Sequence, residues 1–215
     1  TNTGDIKSYQ VLRDIFNQIN IPTFFALGNH DKRSSFNKVF KKINSKKPLF
    51  YNQILEGLNL ITLDTSVPGK ISGAICDEQF KFLNKKLIQN KNFPTIIMMH
   101  HPPMFNKKGP NWISLDEKST NKLQSELEKK EILAIMCGHI HINQTNFWNG
   151  IPVIISNGLY STVDLLNRDD MVILEGKSFN ICYIRENGIG VSVIPLKPKA
   201  KIFRKISLKK LKNLN

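Results

Sequence analysis

Three cysteines in 215 residues are too few and too far apart to frame a small disulfide-bonded fold. Cys76, Cys137 and Cys182 show no paired spacing, which also removes the usual thiolate zinc sites. They are expected as reduced core residues of a cytoplasmic protein. No apolar run approaches the roughly 20 residues of a membrane-spanning helix, so no transmembrane segment is expected. No G-x-S-x-G elbow occurs, which disfavours a serine hydrolase. Acidic residues are scarce, 17 against 31 basic, for a formal net charge of +14. Such an excess invites a nucleic-acid partner. Arginine, however, is nearly absent: Lys outnumbers Arg 26 to 5, and Asn and Ile are abundant alongside. That is a compositional bias rather than an Arg-rich binding face, and nucleic acid stays only as a secondary partner.

What is present fits one large domain, expected over residues 1–195, with a basic tail over 196–215. A chain of this length can bury roughly 70% of the surface it exposes when unfolded. From Lys197 to Lys212 there are eight basic residues and no acidic one, with Ile202, Phe203, Ile206, Leu208 and Leu211 interleaved. A solvated end is expected there, with a basic amphipathic helix as the alternative. The chain opens at Thr1 in what reads as loop, without a leader-like stretch or initiator Met, so a fragment is expected.

Strands and helices alternate along the chain. Ser8 is placed to cap a helix through about Ile19, with Val11, Leu12, Ile15, Phe16 and Ile19 on one face. Residues 23–27, TFFAL, read as a buried strand, and a short helix follows from Ser34 to Ile43. LFYNQILEGLNLITLD reads as two strands joined at Glu56–Gly57. Asp77 can cap a helix carrying Phe80, Leu83 and Leu87. PTIIMM and ILAIMC read as strands flanking a charged helix from about Ser119 to Lys130. From Thr145 onward the pattern becomes strands with turns, marked by Asn149–Gly150 and Asn187–Gly188. The fold class that follows is α/β: two packed mixed sheets with helices outside.

All five histidines fall into three places, each just past the carboxyl end of an expected strand. His30 follows TFFAL, His100 and His101 follow PTIIMM, and His139 and His141 follow ILAIMC. Open α/β sheets bind ligands at that edge. Imidazole is the commonest metal ligand, and Asn29 adds a neutral amide oxygen. In GHIH, His139 and His141 are read as reaching two different ions. Gly138 would let the backbone come close. His30, beside Asn29, is left to face substrate, and Asp31 is expected to orient it by a hydrogen bond from behind. Four or five histidines plus an amide suit a hydrolytic pair of metals better than a structural zinc.

GNHD (28–31), HHPP (100–103) and GHIH (138–141), in that order, resemble the calcineurin-like metallophosphoesterases. The resemblance covers about residues 1 to 165. GIPVIISNGLYSTVDL and SGAICDEQFKFLNKKL are similar to the bacterial branch that includes class III cyclic-nucleotide phosphodiesterases. It implies an α/β/β/α sandwich and a metal-dependent phosphoric ester hydrolase working through a hydroxide bridging two metals. The substrate implied is a small phosphodiester, 3',5'-cyclic nucleotides foremost. Two divalent ions are implied, among Mn, Fe, Zn and Co. By motif, Asn29, His100 and His139 would hold the second metal and His141 the first. His30 would act on the leaving group, with His101 in the pocket wall. The family's Asp-x-His strand end is missing, and only Gly4–Asp5 could stand for its Gly-Asp bridge. TNTGDIKSYQVL resembles the loop and helix after that strand, so an incomplete first site is expected. A nuclease, a broad phosphatase and a non-catalytic scaffold remain the alternatives, and the oligomeric state stays open.

Overall fold

The computed structural model describes residues 1–41, 47–167, 169–186 and 188–196. Six strands form a mixed sheet in the order β1-β2-β3-β4-β6-β5. They are β1 (Tyr51–Leu55), β2 (Leu58–Thr62), β3 (Thr95–Met98), β4 (Ile132–Cys137), β5 (Gln144–Trp148) and β6 (Ile151–Ile155). The two hairpins, β1–β2 and β5–β6, are antiparallel and lie at the sheet margins. Both turn on a pair of positive-φ residues, Glu56–Gly57 (47° and 82°) and Asn149–Gly150 (50° and 81°). That backbone twist matches the flanking strands. The four central strands β2, β3, β4 and β6 run parallel. Their carboxyl ends therefore meet along one edge.

Parallel pairing requires crossovers; two helices, α3 (Asp77–Gln89) and α4 (Glu117–Leu127), supply those from β2 to β3 and from β3 to β4, and β5 lies between β4 and β6. Phe80, Leu83 and Leu87 of α3 and Leu123 and Leu127 of α4 pack onto Ile61, Ile97, Ile135, Val153 and Ile155 as one core. Alternate residues of the same strands, Ile96, Ala134 and Ile154, are buried on the opposite face. There β10 (Gly188–Pro195), paired with β9 (Ser178–Arg185), packs against β4. A second ribbon joins β7 (Ser161–Val163) to β8 (Ile173–Glu175). The α/β class expected from sequence is the one observed; where a second mixed sheet is expected, the described residues form two antiparallel ribbons, of which β9–β10 packs on the main sheet. Among the described residues no helix is long and apolar enough to cross a membrane.

A separate core sits beside β1. Helices α1 (Ile6–Phe16) and α2 (Arg33–Phe40) enclose Tyr9, Leu27, Phe36, Val39 and Leu49. Residues 23–27 do not form the expected strand: they belong to no ladder among the described residues. Phe25 instead meets Phe16, Phe36 and Phe40 with ring centroids 4.9 to 5.7 Å apart. Its main-chain groups are satisfied by one side chain. Its N–H donates to Tyr51 Oη (2.6 Å), whose hydroxyl donates to the Phe25 carbonyl (2.9 Å).

Caps differ from expectation as well. Asp5, not Ser8, caps α1, accepting the Ser8 amide at 2.9 Å and the Ser8 hydroxyl at 2.7 Å. Cys76 precedes α3, so Asp77 is its first helical residue. Asp116 caps α4, accepting the Ser119 amide at 2.7 Å. Of the three free cysteines only Cys137 is a core residue; Cys76 is exposed and Cys182 half-buried. Ile43, Asn187 and the basic stretch 197–215 lie outside the described residues.

Candidate metal centre

Three loops converge at the carboxyl edge of the parallel strands. The first is a turn from Gly28 to Asp31, closed by the Asp31 amide donating to the Gly28 carbonyl at 3.0 Å. Asn29 and His30 are its two corner residues. The second follows β3 and carries His100 and His101. The third follows β4 and carries His139 and His141.

The carboxylate of Asp31 makes the first turn rigid. Asp31 Oδ2 accepts the Gly28 amide at 2.9 Å, and Oδ1 accepts the Tyr9 hydroxyl at 2.5 Å. Burial first, then Asp31, pushes the Tyr9 phenol up, so it stays protonated as the donor. This corrects the role expected of Asp31. It does not orient His30, because both its oxygens face the turn and α1. His30 Nδ1 instead donates to the Asn2 carbonyl at 3.1 Å, and its side chain is exposed.

His100 Nε2 lies 3.0 Å from Asn29 Oδ1 and 3.2 Å from His139 Nδ1. His139 Nε2 donates to the Trp112 carbonyl at 2.7 Å, so Nδ1 is the nitrogen with the free lone pair. Cation donors at bonds of about 2.1 Å stand roughly 3.0 Å apart in an octahedron and 3.4 Å apart in a tetrahedron. The two separations from His100 Nε2, to Asn29 Oδ1 and to His139 Nδ1, fall in that interval, as donors sharing one divalent ion require. Electrostatics agree. Burial, then the neighbouring imidazoles, holds His100 well below the ordinary histidine range. Burial is also the main cause lowering His139. Both rings are therefore neutral, as ligands must be.

His101 comes within ligand range of His100 and His139, the three offering nitrogens within 4.8 Å of one another. It is nonetheless spoken for. Nε2 donates to the Ile71 carbonyl at 2.9 Å, and Nδ1 accepts from the Thr65 hydroxyl at 2.7 Å. Burial and His139 bring its pKa down to about 3.

The third loop is not extended. His139 and His141 adopt φ of 74° and 54°, left-handed values that cost a non-glycine residue about 1–3 kcal/mol each. Ile140 N donates to the Gly138 carbonyl at 2.9 Å, and the chain turns between the two histidines. His141 stays outside the cluster of ring nitrogens, exposed, with Nδ1 3.0 Å from Ser161 Oγ. Gly138 is not the crowded glycine; a Cβ there would meet only His100 Nδ1, at 3.8 Å. Gly28 is, since its Cβ would lie 2.6–2.7 Å from three atoms of the His100 ring. Asp5 commits its oxygens to Ser8 and Thr3, which hold its carboxyl well below the usual range.

Sequence reasoning missed Asp64 and Thr65, both fully buried just past β2. Asp64 takes Arg33 Nε at 2.7 Å, and Thr65 takes His101. Polar residues directly after the apolar strand LNLITL were the available signal. A cavity of about 500 Å³ opens beside the cluster, its lining including Asn29, His30, Lys32, Ser34, Ser66 and Pro68.

The model of the calcineurin-like phosphoesterase family matches residues 1–143. A "Probable cyclic nucleotide phosphodiesterase" of Rhodococcus erythropolis is 29% identical over 91% of this chain and 67% of its own length. A cAMP/cGMP dual specificity phosphodiesterase of Mycobacterium tuberculosis is 28% identical, over 90% of this chain and 63% of its own. A "Probable glycerophosphodiester phosphodiesterase" of Arcobacter nitrofigilis is 24% identical, over 72% and 58%. The chain thus spans about two thirds or less of these relatives. GAP50, the anchor in the inner membrane complex of Plasmodium, shares the fold. It superposes with a TM-score of 0.57 at 15% identity, covering 85% of this chain and 64% of that one.

Proposed function

The chain belongs to the calcineurin-like phosphoesterase family, and from that premise we propose that it is a metal-dependent phosphodiesterase. The observation that carries the reading is the convergence of Asn29 Oδ1, His100 Nε2 and His139 Nδ1 within 3.0–3.2 Å steps at the strand edge. Two neutral imidazoles and an amide oxygen form a mixed nitrogen and oxygen set, suited to Mn, Fe, Zn or Co. Divalent cations at such donors supply Lewis acidity toward phosphoryl oxygens and toward a water. We assign His141 to a neighbouring first site.

The remaining work falls to the chain. The Asp31-stapled turn holds Asn29 and His30 side by side, so that a phosphoryl group at Asn29 brings its leaving oxygen to His30. With Nδ1–H donated to the Asn2 carbonyl, Nε2 of His30 is the atom that would take a proton from solvent, giving the imidazolium, and pass it to that oxygen. General acid help of this kind is worth about 10²–10⁴-fold.

For substrate we infer a 3',5'-cyclic nucleotide, on the names of the Rhodococcus and Mycobacterium relatives. A glycerophosphodiester is the second reading, on the name of the Arcobacter relative and on a cavity lined by no Phe, Tyr or Trp that a base could stack on. Hydrolysis of cyclic AMP, glycerophosphocholine and bis-(p-nitrophenyl) phosphate with added Mn²⁺ tests this, beside His139→Ala. Mn²⁺-dependent turnover lost in the variant supports it. Turnover that His139→Ala or removal of Mn²⁺ leaves intact refutes it.

A further inference from the structure

The residues Asp64, Thr65 and Ser66 are not among the three donors of the cluster, yet they bond to one of its loops, at His101, and to the helix that follows another, at Arg33. Asp64 Oδ2 accepts Arg33 Nε at 2.7 Å and the Leu49 amide at 2.8 Å. Its Oδ1 accepts the Ser66 amide and hydroxyl, at 3.0 and 2.5 Å. The second prong of Arg33 donates to the Ser66 carbonyl at 2.7 Å. Arg33 opens α2 two residues after Asp31, so this grip fixes the downstream end of the Asn29 turn. Gln79 in turn holds the Asp64 main chain from both sides, at 2.8 Å each. A buried charge with every lone pair engaged is a rigid anchor.

Thr65 reaches the other way. Its hydroxyl donates to His101 Nδ1, and its oxygen accepts the His101 main-chain N–H at 3.2 Å. His101 packs edge-on to His100, with centroids 4.8 Å apart at 87°, and against His139 at 4.3 Å and 55°. Behind it Gly73 leaves just enough room, for a Cβ there would fall 2.5 Å from two atoms of the His101 ring. The ring cannot retreat, and the two ligand imidazoles lean on it.

We propose that Asp64-Thr65-Ser66 is the positioning element of the candidate metal centre. Through Arg33 it sets the Asn29 turn, and through His101 it sets the ring planes of His100 and His139. The spacing of the three donor atoms is then fixed from one point of the sheet edge. The proposal rests on the reading of Asn29, His100 and His139 as ligands.

Co²⁺ is the probe, because its visible absorption reports ligand geometry as well as occupancy. Wild type, Thr65→Val, Thr65→Ser and Arg33→Lys are titrated, with Leu83→Ala as a core-destabilised control away from the centre. Thr65→Val should weaken Co²⁺ binding about 10–100-fold and shift the bands, the effect seen when a group orienting a metal ligand is lost. Thr65→Ser keeps the hydroxyl and should restore both. Arg33→Lys keeps the charge but gives up the fork, and should weaken binding similarly; it decides the matter if Thr65→Val does not fold. Leu83→Ala should melt earlier yet bind Co²⁺ as wild type does. Unchanged affinity and spectrum in folded Thr65→Val, or in Arg33→Lys, overturns the proposal. So does equal weakening in Leu83→Ala. No Co²⁺ uptake by the wild-type protein would sink the ligand assignment itself, and the proposal with it.

Discussion

Replacing Gly28 with alanine puts a methyl group 2.6 Å from His100 Cε1 and 2.7 Å from both ring nitrogens. Carbon atoms rest about 3.5–4.0 Å apart. One of the two must therefore yield by roughly 1 Å. The Gly28 backbone is pinned by the Asp31 carboxylate and carbonyl-to-amide closure, so the ring is the part that moves. Its Nε2 sits at the centre of the donor set, 3.0 Å from Asn29 Oδ1 and 3.2 Å from His139 Nδ1. A displacement of that size is comparable with half a coordination bond of about 2.1 Å, enough to lose the ligand. Metal affinity should fall at least 10–100-fold and turnover by about 10²-fold or more. The fold should survive, because overpacking a single methyl costs about 1–3 kcal/mol. Gly138→Ala is the matched control, its Cβ meeting the same ring only at 3.8 Å. Calorimetric Mn²⁺ titration of both variants, with circular dichroism to confirm folding, makes the comparison. Wild-type affinity in Gly28→Ala would refute the reasoning, and so would an equal loss in Gly138→Ala.

His30→Gln should lower kcat about 10²–10⁴-fold with metal content unchanged, checked by elemental analysis beside kinetics; loss of an ion would make His30 a ligand. Acid should destabilise the fold from about pH 6.5 downward. His101, at about 3 when folded, stays neutral while its unfolded counterpart charges near 6.5, so the unfolded state binds the extra proton and stability drains as pH falls. The slope is about 1.4 kcal/mol per pH unit for each such histidine, and thermal melts between pH 7.5 and 5 read it. A flat melting temperature across that window would contradict the buried, neutral ring. Tyr51→Phe should cost about 1–3 kcal/mol by orphaning both main-chain groups of Phe25, measured by urea unfolding.

The sheet and its ligand edge were legible because their signals are local. Apolar runs such as TIIM and ILAIMC name their own strands, and a histidine directly after one inherits its place at the strand end. The helix face of α3 followed from period alone. What depended on distant partners was not legible. TFFAL has the composition of a strand, but whether it enters a ladder depends on its neighbours, and here Tyr51 and a cluster of phenylalanine rings take that place. Asp31 sits beside His30 in sequence, yet the turn aims its carboxylate back at Gly28 and across to Tyr9. Ser8 and Asp5 are both good caps, and a difference of three residues is beyond what pattern can resolve. His100 and His101 are adjacent and chemically identical. In sequence only the family resemblance separates them; in the structure Thr65, Ile71 and the space at Gly73 hold His101 as the floor and leave His100 to face Asn29.

The central claim is that Asn29, His100 and His139 hold a divalent ion. Anomalous diffraction at the manganese edge, on crystals grown with Mn²⁺, locates that ion directly. A peak within about 2.0–2.4 Å of Asn29 Oδ1, His100 Nε2 and His139 Nδ1, with His101 still bonded to Thr65 and Ile71, is the predicted result. No peak at these atoms, or a peak held by His101, would contradict it.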